Sequence, residues 1–124
     1  MNPKALIFVV DDEPLLIELA AAVLEPAGYH VRTFQDPAKA LAAFTASDPA
    51  PDLLITDFAM HRLTGLDLMR QCRQLRPGQK VLLVSGTVGE EIYRDSRVKP
   101  DAFLAKPYES KQLIHHVESL LERI

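Results

Sequence analysis

Four apolar runs in this 124-residue chain end abruptly in a group that could do chemistry. Val9-Val10 leads into Asp11-Asp12, Leu54-Ile55-Thr56 into Asp57, Leu83-Val84 into Ser85-Gly86, and Leu104-Ala105 into Lys106. If the runs are neighbouring strands, Asp11, Asp12 and Asp57 crowd three like charges together, which raises the cost of ionising them all. A divalent cation removes the conflict. An all-oxygen donor set without cysteine or clustered histidine favours Mg2+, with Mn2+ as a substitute. Mg2+ takes one or two carboxylates and keeps several waters, so it leaves room for a phosphoryl oxygen. Lys106 then offers a second positive charge and Ser85 a hydroxyl donor. In that setting Asp57 is a nucleophile that can attack phosphorus and carry an acyl phosphate.

Such groups must be held by a scaffold, and the apolar pattern predicts one. Short runs at residues 5–10, 31–34 (the weakest), 53–55, 81–84 and 102–105 alternate with segments of helical period. The helical segments are residues 15–24, with Leu16, Leu19, Ala20 and Val23 on one face, then 38–44 and 66–75, and a closing helix. A stripe of Leu113, Val117, Leu120, Leu121 and Ile124 marks the closing helix. Between the fourth and fifth strands, residues 89–97 leave little but Ile92 and Tyr93 for burial and predict a short, mobile fourth helix. Continuous apolar strands are what a parallel sheet covered on both faces requires. The reading is therefore an α/β fold, a doubly wound five-stranded parallel sheet with helices on both faces. In such sheets, sites form beyond the carboxyl ends of the strands, where the polar groups above collect. Pro14 and Pro37 stand where first helical turns should begin, and Gly28 and Gly78 where helices should stop.

With 48% hydrophobic and 25% charged residues, the chain reads as one globular domain over residues 1–124. The uncharged run before Asp11 is only six residues, Ala5 to Val10, too few for a signal-peptide core or a membrane span, so a cytoplasmic location is expected. A formal charge of −3, with no long basic run, speaks against direct nucleic-acid binding. The lone Cys72 fits a small helix residue facing the core. His30 and the adjacent His115 and His116 receive no role.

The segments VVDDE, LLITD, LLVSG and FLAKP together resemble the response-regulator receiver domain of two-component signalling, over residues 6–121. The resemblance implies a flavodoxin-like sheet of strand order 2-1-3-4-5 that transfers phosphate from a phosphohistidine to its own aspartate. It makes Asp57 the phosphoacceptor, Asp12 and Asp57 direct Mg2+ ligands, the backbone carbonyl of Ala59 a third ligand, and Asp11 a support through water. Lys106 binds the phosphoryl group, Ser85 is the switch hydroxyl and Phe103 the aromatic switch. Phosphate then alters a face made by the fourth helix, the fifth strand and the closing fifth helix, which receivers commonly use for homodimers or partners. The partners implied are a sensor histidine kinase or histidine phosphotransfer protein, and a downstream protein or effector domain.

Some positions depart from the family pattern. Met60-His61 replaces the usual Met-Pro, which frees a φ angle and adds an imidazole. Ala59 and Thr87 occupy the variable positions that tune the lifetime of the phosphorylated state, and Lys99-Pro100 replaces the usual small residues before the fifth strand. An aspartate-dependent phosphatase of the haloacid dehalogenase type would need a second acid where Ala59 stands. The chain is therefore expected to phosphorylate and dephosphorylate itself, with no turnover of an external substrate. A degenerate receiver acting as a constitutive interaction module is the alternative, although every acid and the lysine are kept. A dinucleotide-binding reading lacks the glycine-rich first loop.

Overall fold

A computed structural model describes residues 4–122. Its elements run β1 (Leu6–Val10), α1 (Pro14–Leu24), β2 (His30–Phe34), α2 (Pro37–Ala46), β3 (Leu53–Asp57), α3 (Gly65–Leu75), β4 (Val81–Ser85), β5 (Ala102–Ala105) and α4 (Ser110–Leu121). All neighbouring strands are parallel, in the order β2-β1-β3-β4-β5. Each strand shows its alternate residues to opposite faces, as the pleat dictates. Ile7, Val9, Leu53, Ile55, Leu82, Val84 and Leu104 pack under α1 and α4, against Ile17, Ala20, Leu24, Leu113 and Val117. Phe8, Val10, Leu54, Val81 and Leu83 pack under α2 and α3, against Ala40, Phe44, Leu66, Leu68, Met69 and Cys72. Cys72 is buried as expected, and desolvation pushes its thiol up to about 12.

The chain leaves β1 for β2 on one side and returns for β3 on the other. The crevice of this sheet therefore opens above β1 and β3, where the strand order reverses. Register aligns the strand ends at that edge: Val10 lies opposite Thr56, Asp57 opposite Val84, and Ser85 opposite Ala105.

Local chemistry fixes the helix starts. Pro37 occupies the first turn of α2, whose Asp36 cap accepts the Ala38 N–H at 2.9 Å. A reciprocal capping box starts α3: the Thr64 hydroxyl accepts the Asp67 N–H at 3.1 Å, and the Asp67 carboxylate accepts the Thr64 N–H at 3.2 Å. Gly28, with φ +105°, turns the chain from α1 toward β2.

Three expectations need correction. Residues 89–97 do not form a fourth helix; the segment contains one 3-10 turn, Glu90–Ile92, so the closing helix is the fourth α-helix. Only Tyr93 is buried there, and local bonds such as Gly89 N–H to the Glu91 carboxylate compete with a helical ladder. On α1 the buried stripe is Ile17, Ala20 and Leu24, whereas Leu19 is 53% and Leu15 64% exposed. Nor is β2 covered on both faces. It is an edge strand with His30, Arg32 and Thr33 exposed, and the Arg32 guanidinium lies over the Phe8 and Phe34 rings, 5.3 Å from each centroid. In α4, Leu113 and Val117 are buried and Leu120 and Leu121 half-buried; Ile124 lies outside the described residues.

Candidate functional site

Asp57 is the last residue of β3, held between β1 and β4 and 7% exposed. Its backbone carbonyl accepts from the Thr56 hydroxyl at 3.0 Å. One residue further, the Phe58 carbonyl accepts the Gly65 N–H at 2.8 Å, which ties the start of α3 to the end of β3. Asp11 follows β1 directly, and its N–H donates to the Phe34 carbonyl at 3.1 Å. One Asp11 carboxylate oxygen accepts the Glu13 N–H at 3.0 Å, and the other accepts from Lys106 Nζ at 2.9 Å. Lys106 also stands 3.0 Å from Asp57 Oδ1, so a single ammonium bridges both buried acids.

Asp11, Asp12 and Asp57 each offer a carboxylate oxygen within 4.8 Å of the others. This donor set is hard, anionic and only partly neutralised by Lys106, and it fits a hard divalent cation. Asp11 has both oxygens engaged, whereas the half-buried Asp12 faces the opening. Burial raises the Asp57 pKa; the Lys106 hydrogen bond opposes that rise and the charge of Asp11 adds to it. For Lys106, burial pulls the pKa down, but hydrogen bonds to Asp11 and Asp57 outweigh it and the net shift is upward.

Ser85 ends β4 and is buried, and its Oγ accepts the N–H groups of Thr87 and Val88 at 3.1 Å each. That use of the lone pairs leaves the hydroxyl proton to donate, and Thr87 Oγ1 is the acceptor within reach. Thr87 Oγ1 lies 3.4 Å from Ser85 Oγ, and Ala59 is exposed in the loop after β3. Phe103 is half-buried, with its ring centroid 6.4 Å from that of Tyr93. The fold thus brings Asp11, Asp12, Asp57 and Lys106 together, sets Ser85 and Thr87 at the neighbouring strand end, and leaves Phe103 one strand across.

One contributor escapes a reading of the sequence, and the contact of the imidazole visible there escapes it too. A Cβ on Gly65 would stand 2.3 Å from the Asp57 carbonyl oxygen, so only glycine allows α3 to begin there. His61 Nε2 lies 3.7 Å from Asp12 Oδ2, although its side chain is 89% exposed. The Thr-Gly pair opening a capping box was a visible signal for a helix start, but neither contact has a local signature.

The family model for the response regulator receiver domain matches residues 7–118. The receiver protein CpdR of Brucella abortus is 31% identical over 95% of this chain and 97% of its own length. The probable transcriptional regulatory protein TcrX of Mycobacterium tuberculosis is 30% identical, and this chain spans 50% of its length. Among solved structures, a receiver domain protein from Clostridium thermocellum superposes with a TM-score of 0.87 at 25% identity, covering 94% of each chain. TrrA of Thermotoga maritima, solved with Mg2+ and BeF, gives a TM-score of 0.81 at 28% identity over 94% of this chain and 99% of its own. No helix among the described residues is long and apolar enough to cross a membrane. Sequence, fold and the acidic strand-end cluster agree: the chain belongs to the response regulator receiver domain family, the signalling switches of two-component systems.

Proposed function

We propose that the chain is a single receiver domain, residues 1–124, that accepts phosphate on Asp57 from the phosphohistidine of a sensor kinase or phosphotransfer protein in the cytoplasm. The observation that carries this reading is the Lys106 ammonium, 2.9 Å from Asp11 and 3.0 Å from Asp57 in a buried acidic pocket. An Asp57 carboxylate oxygen attacks phosphorus; a P–O bond forms as the P–N bond breaks, and the leaving imidazole nitrogen keeps the electron pair. Lys106 then turns from Asp57 to the phosphoryl oxygens, and Ser85 redirects its hydroxyl proton from Thr87 to another. Asp12, Asp57 and the Ala59 carbonyl would hold Mg2+, with Asp11 acting through water, and the ion when bound neutralises phosphoryl charge. Water later attacks the phosphorus, the bond from the Asp57 oxygen to phosphorus breaks to restore the carboxylate, and inorganic phosphate leaves; Ala59 and Thr87 flank the water's approach.

The acyl phosphate adds about −1.5 to −2 charge, by analogy with other phosphorylated side chains. Drawing Ser85 toward it empties space that Phe103 can fill by packing alone, which changes the face of the 3-10 turn, β5 and α4. That face is the place for a homodimer, a downstream protein or an effector domain.

Intact mass after incubation with Mg2+ and acetyl phosphate tests the reading. One phosphoryl gain is expected, absent in Asp57→Asn and under chelation. No gain, together with no beryllofluoride binding, refutes it and leaves a constitutive interaction module. Because burial raises the Asp57 pKa, its ionised form destabilises the metal-free fold above that pKa, and Asp57→Asn is expected to raise the thermal midpoint near neutral pH.

A place for the donor lies beside Lys106. A groove of about 530 Å3 runs between α1 and α4, lined by Leu16, Leu19, Val23, Pro107, Tyr108 and Leu113. The exposed Leu19 at its rim suits the apolar face of a donor helix. Leu19→Asp is expected to slow transfer from a phosphohistidine protein by about tenfold while leaving acetyl phosphate labelling unchanged. Equal slowing with both donors would place Leu19 in the fold rather than the dock.

A further inference from the structure

Lys99-Pro100 departs from the family pattern and takes no part in the chemistry at Asp57. It lies toward the opposite pole of the sheet, where β4 and β5 begin. A groove of about 650 Å3 opens there, with Pro77 and Gly78 after α3 on one side and Arg97, Val98 and Lys99 on the other. The Arg73 guanidinium ties the two walls together. It donates to the Gln79 carbonyl at 3.1 Å, the Lys99 carbonyl at 2.6 Å and the Asp101 carboxylate at 2.8 Å. Asp101, the acid among the lining residues, also accepts the Val81 N–H at 2.7 Å and is therefore engaged by the fold. Arg97 and Lys99 are exposed, and among the described residues neither joins an ion pair.

Three cations against one carboxylate give this groove an excess of two positive charges, on a chain whose formal charge is −3. Like charges held close together oppose folding, so the excess does not serve stability. Yet the backbone that bears it is fixed. The Ser96 hydroxyl donates to the Val98 carbonyl at 2.9 Å and accepts the Val98 N–H at 3.3 Å, which closes a loop around Arg97. Lys99 is held by its carbonyl on Arg73 and by Pro100, whose ring restricts the residue before it. Cations preorganised in this way lose less freedom on binding. A guanidinium pairs a carboxylate through two N–H groups, and an ammonium pairs one as a point charge. Val98, 37% exposed between them, offers an apolar seat. Small-ligand sites are lined mainly by apolar side chains, and this lining is mainly polar. Nucleic acid is held by many phosphate contacts, more than two spare cations supply. We propose that the groove docks an acidic segment of a partner protein, in which carboxylates on either side of an apolar residue pair with Arg97 and Lys99 while that residue packs on Val98.

The test titrates the isotope-labelled whole chain, without Mg2+ or phosphodonor, and reads amide NMR shifts. The probes are a peptide built on Asp-Glu-Leu-Asp-Glu, its counterpart Lys-Lys-Leu-Lys-Lys, and a single-stranded oligonucleotide. Saturable shifts at Gly78, Arg97, Val98 and Lys99 are expected with the acidic peptide alone, and they should weaken as salt is raised. Arg97→Glu combined with Lys99→Glu should lower the affinity at least about tenfold, and the pair Arg97→Gln with Lys99→Gln should lower it less. Both side chains are exposed, so both double variants should keep the wild-type melting midpoint. Lys39→Glu with Lys111→Glu makes the same change of charge at exposed positions outside the groove and should bind as wild type does. No saturable shift with the acidic peptide overturns the inference, and so do shifts centred elsewhere. Equal weakening in both glutamate pairs also overturns it, because overall charge would then account for the attraction. Tighter binding of the oligonucleotide at the same residues would give the groove to nucleic acid and refute the acidic-segment assignment.

Discussion

Lys106→Met is expected to lower the stability of the metal-free protein by about 3 kcal/mol near neutral pH, the scale for breaking a buried ion pair by removing one partner. For a chain of this length that is a fall of roughly 10 °C in the melting midpoint. The ammonium is the described cation joined to both Asp11 and Asp57, and without it two buried carboxylates face each other and Asp12 unneutralised. The sign with pH follows from linkage. Lys106 has a raised pKa in the fold, so its contribution is complete below the ordinary lysine value and disappears as pH rises through the folded one. Asp57 has the opposite consequence: an acid whose folded pKa is raised destabilises above that value, and protonation relieves it. The deficit of Lys106→Met should therefore shrink as pH falls toward the carboxylate range. Urea unfolding of both proteins at neutral and mildly acidic pH measures this. An equal deficit at both would mean the methionine variant fails through packing and not charge. Added Mg2+ should narrow the gap, because a bound ion replaces the missing positive charge.

Gly65→Ala should cost a similar amount through a different cause. The added Cβ would meet the Asp57 carbonyl oxygen at 2.3 Å and Leu83 Cδ1 at 2.9 Å. The leucine can turn aside, but the carbonyl belongs to a strand bonded on both sides and cannot. Relief requires α3 to lift from β3, breaking the Gly65 to Phe58 bond that holds the loop after β3. Overpacking of this kind costs about 3 kcal/mol, and it should also weaken Mg2+ binding by displacing the loop. Gly78→Ala is the control, since nothing lies within 4 Å of its added Cβ, and a change of no more than about 0.5 kcal/mol is expected there. If the two alanines behave alike in unfolding and metal titration, the close approach at Asp57 has no energetic weight.

The strands and their chemical ends were legible because burial and function used different residue types at adjacent positions. Val10 before Asp11, Thr56 before Asp57 and Val84 before Ser85 mark where a buried strand reaches its open edge. The face of α1 was hidden for the converse reason. In PLLIELAAAVL nearly every position is apolar, so the period carries no phase, and the burial of Ile17 in place of Leu19 is decided by the sheet beneath. The segment before β5 was legible as poor in apolar residues, and one buried Tyr93 does not offset the cost of nucleating a helix there. Gly65 lay out of reach because it acts on the Asp57 carbonyl, brought near by the tertiary fold; His61 was visible as an added imidazole, but its approach to Asp12 was not.

The exposed edge at β2 bears on association between copies of the chain. An edge strand offers a row of unpaired backbone groups on which a strand from another molecule can add, the route to edge-to-edge aggregation. Here Arg32 lies across Phe8 and Phe34, its charge spread over the apolar surface an incoming strand would cover. A second chain adding at β2 would have to displace that guanidinium or bury its charge beside His30 and Thr33. The same arginine that tops two aromatic rings thus acts as a gatekeeper, making this side of the sheet a poor template for a growing β-assembly.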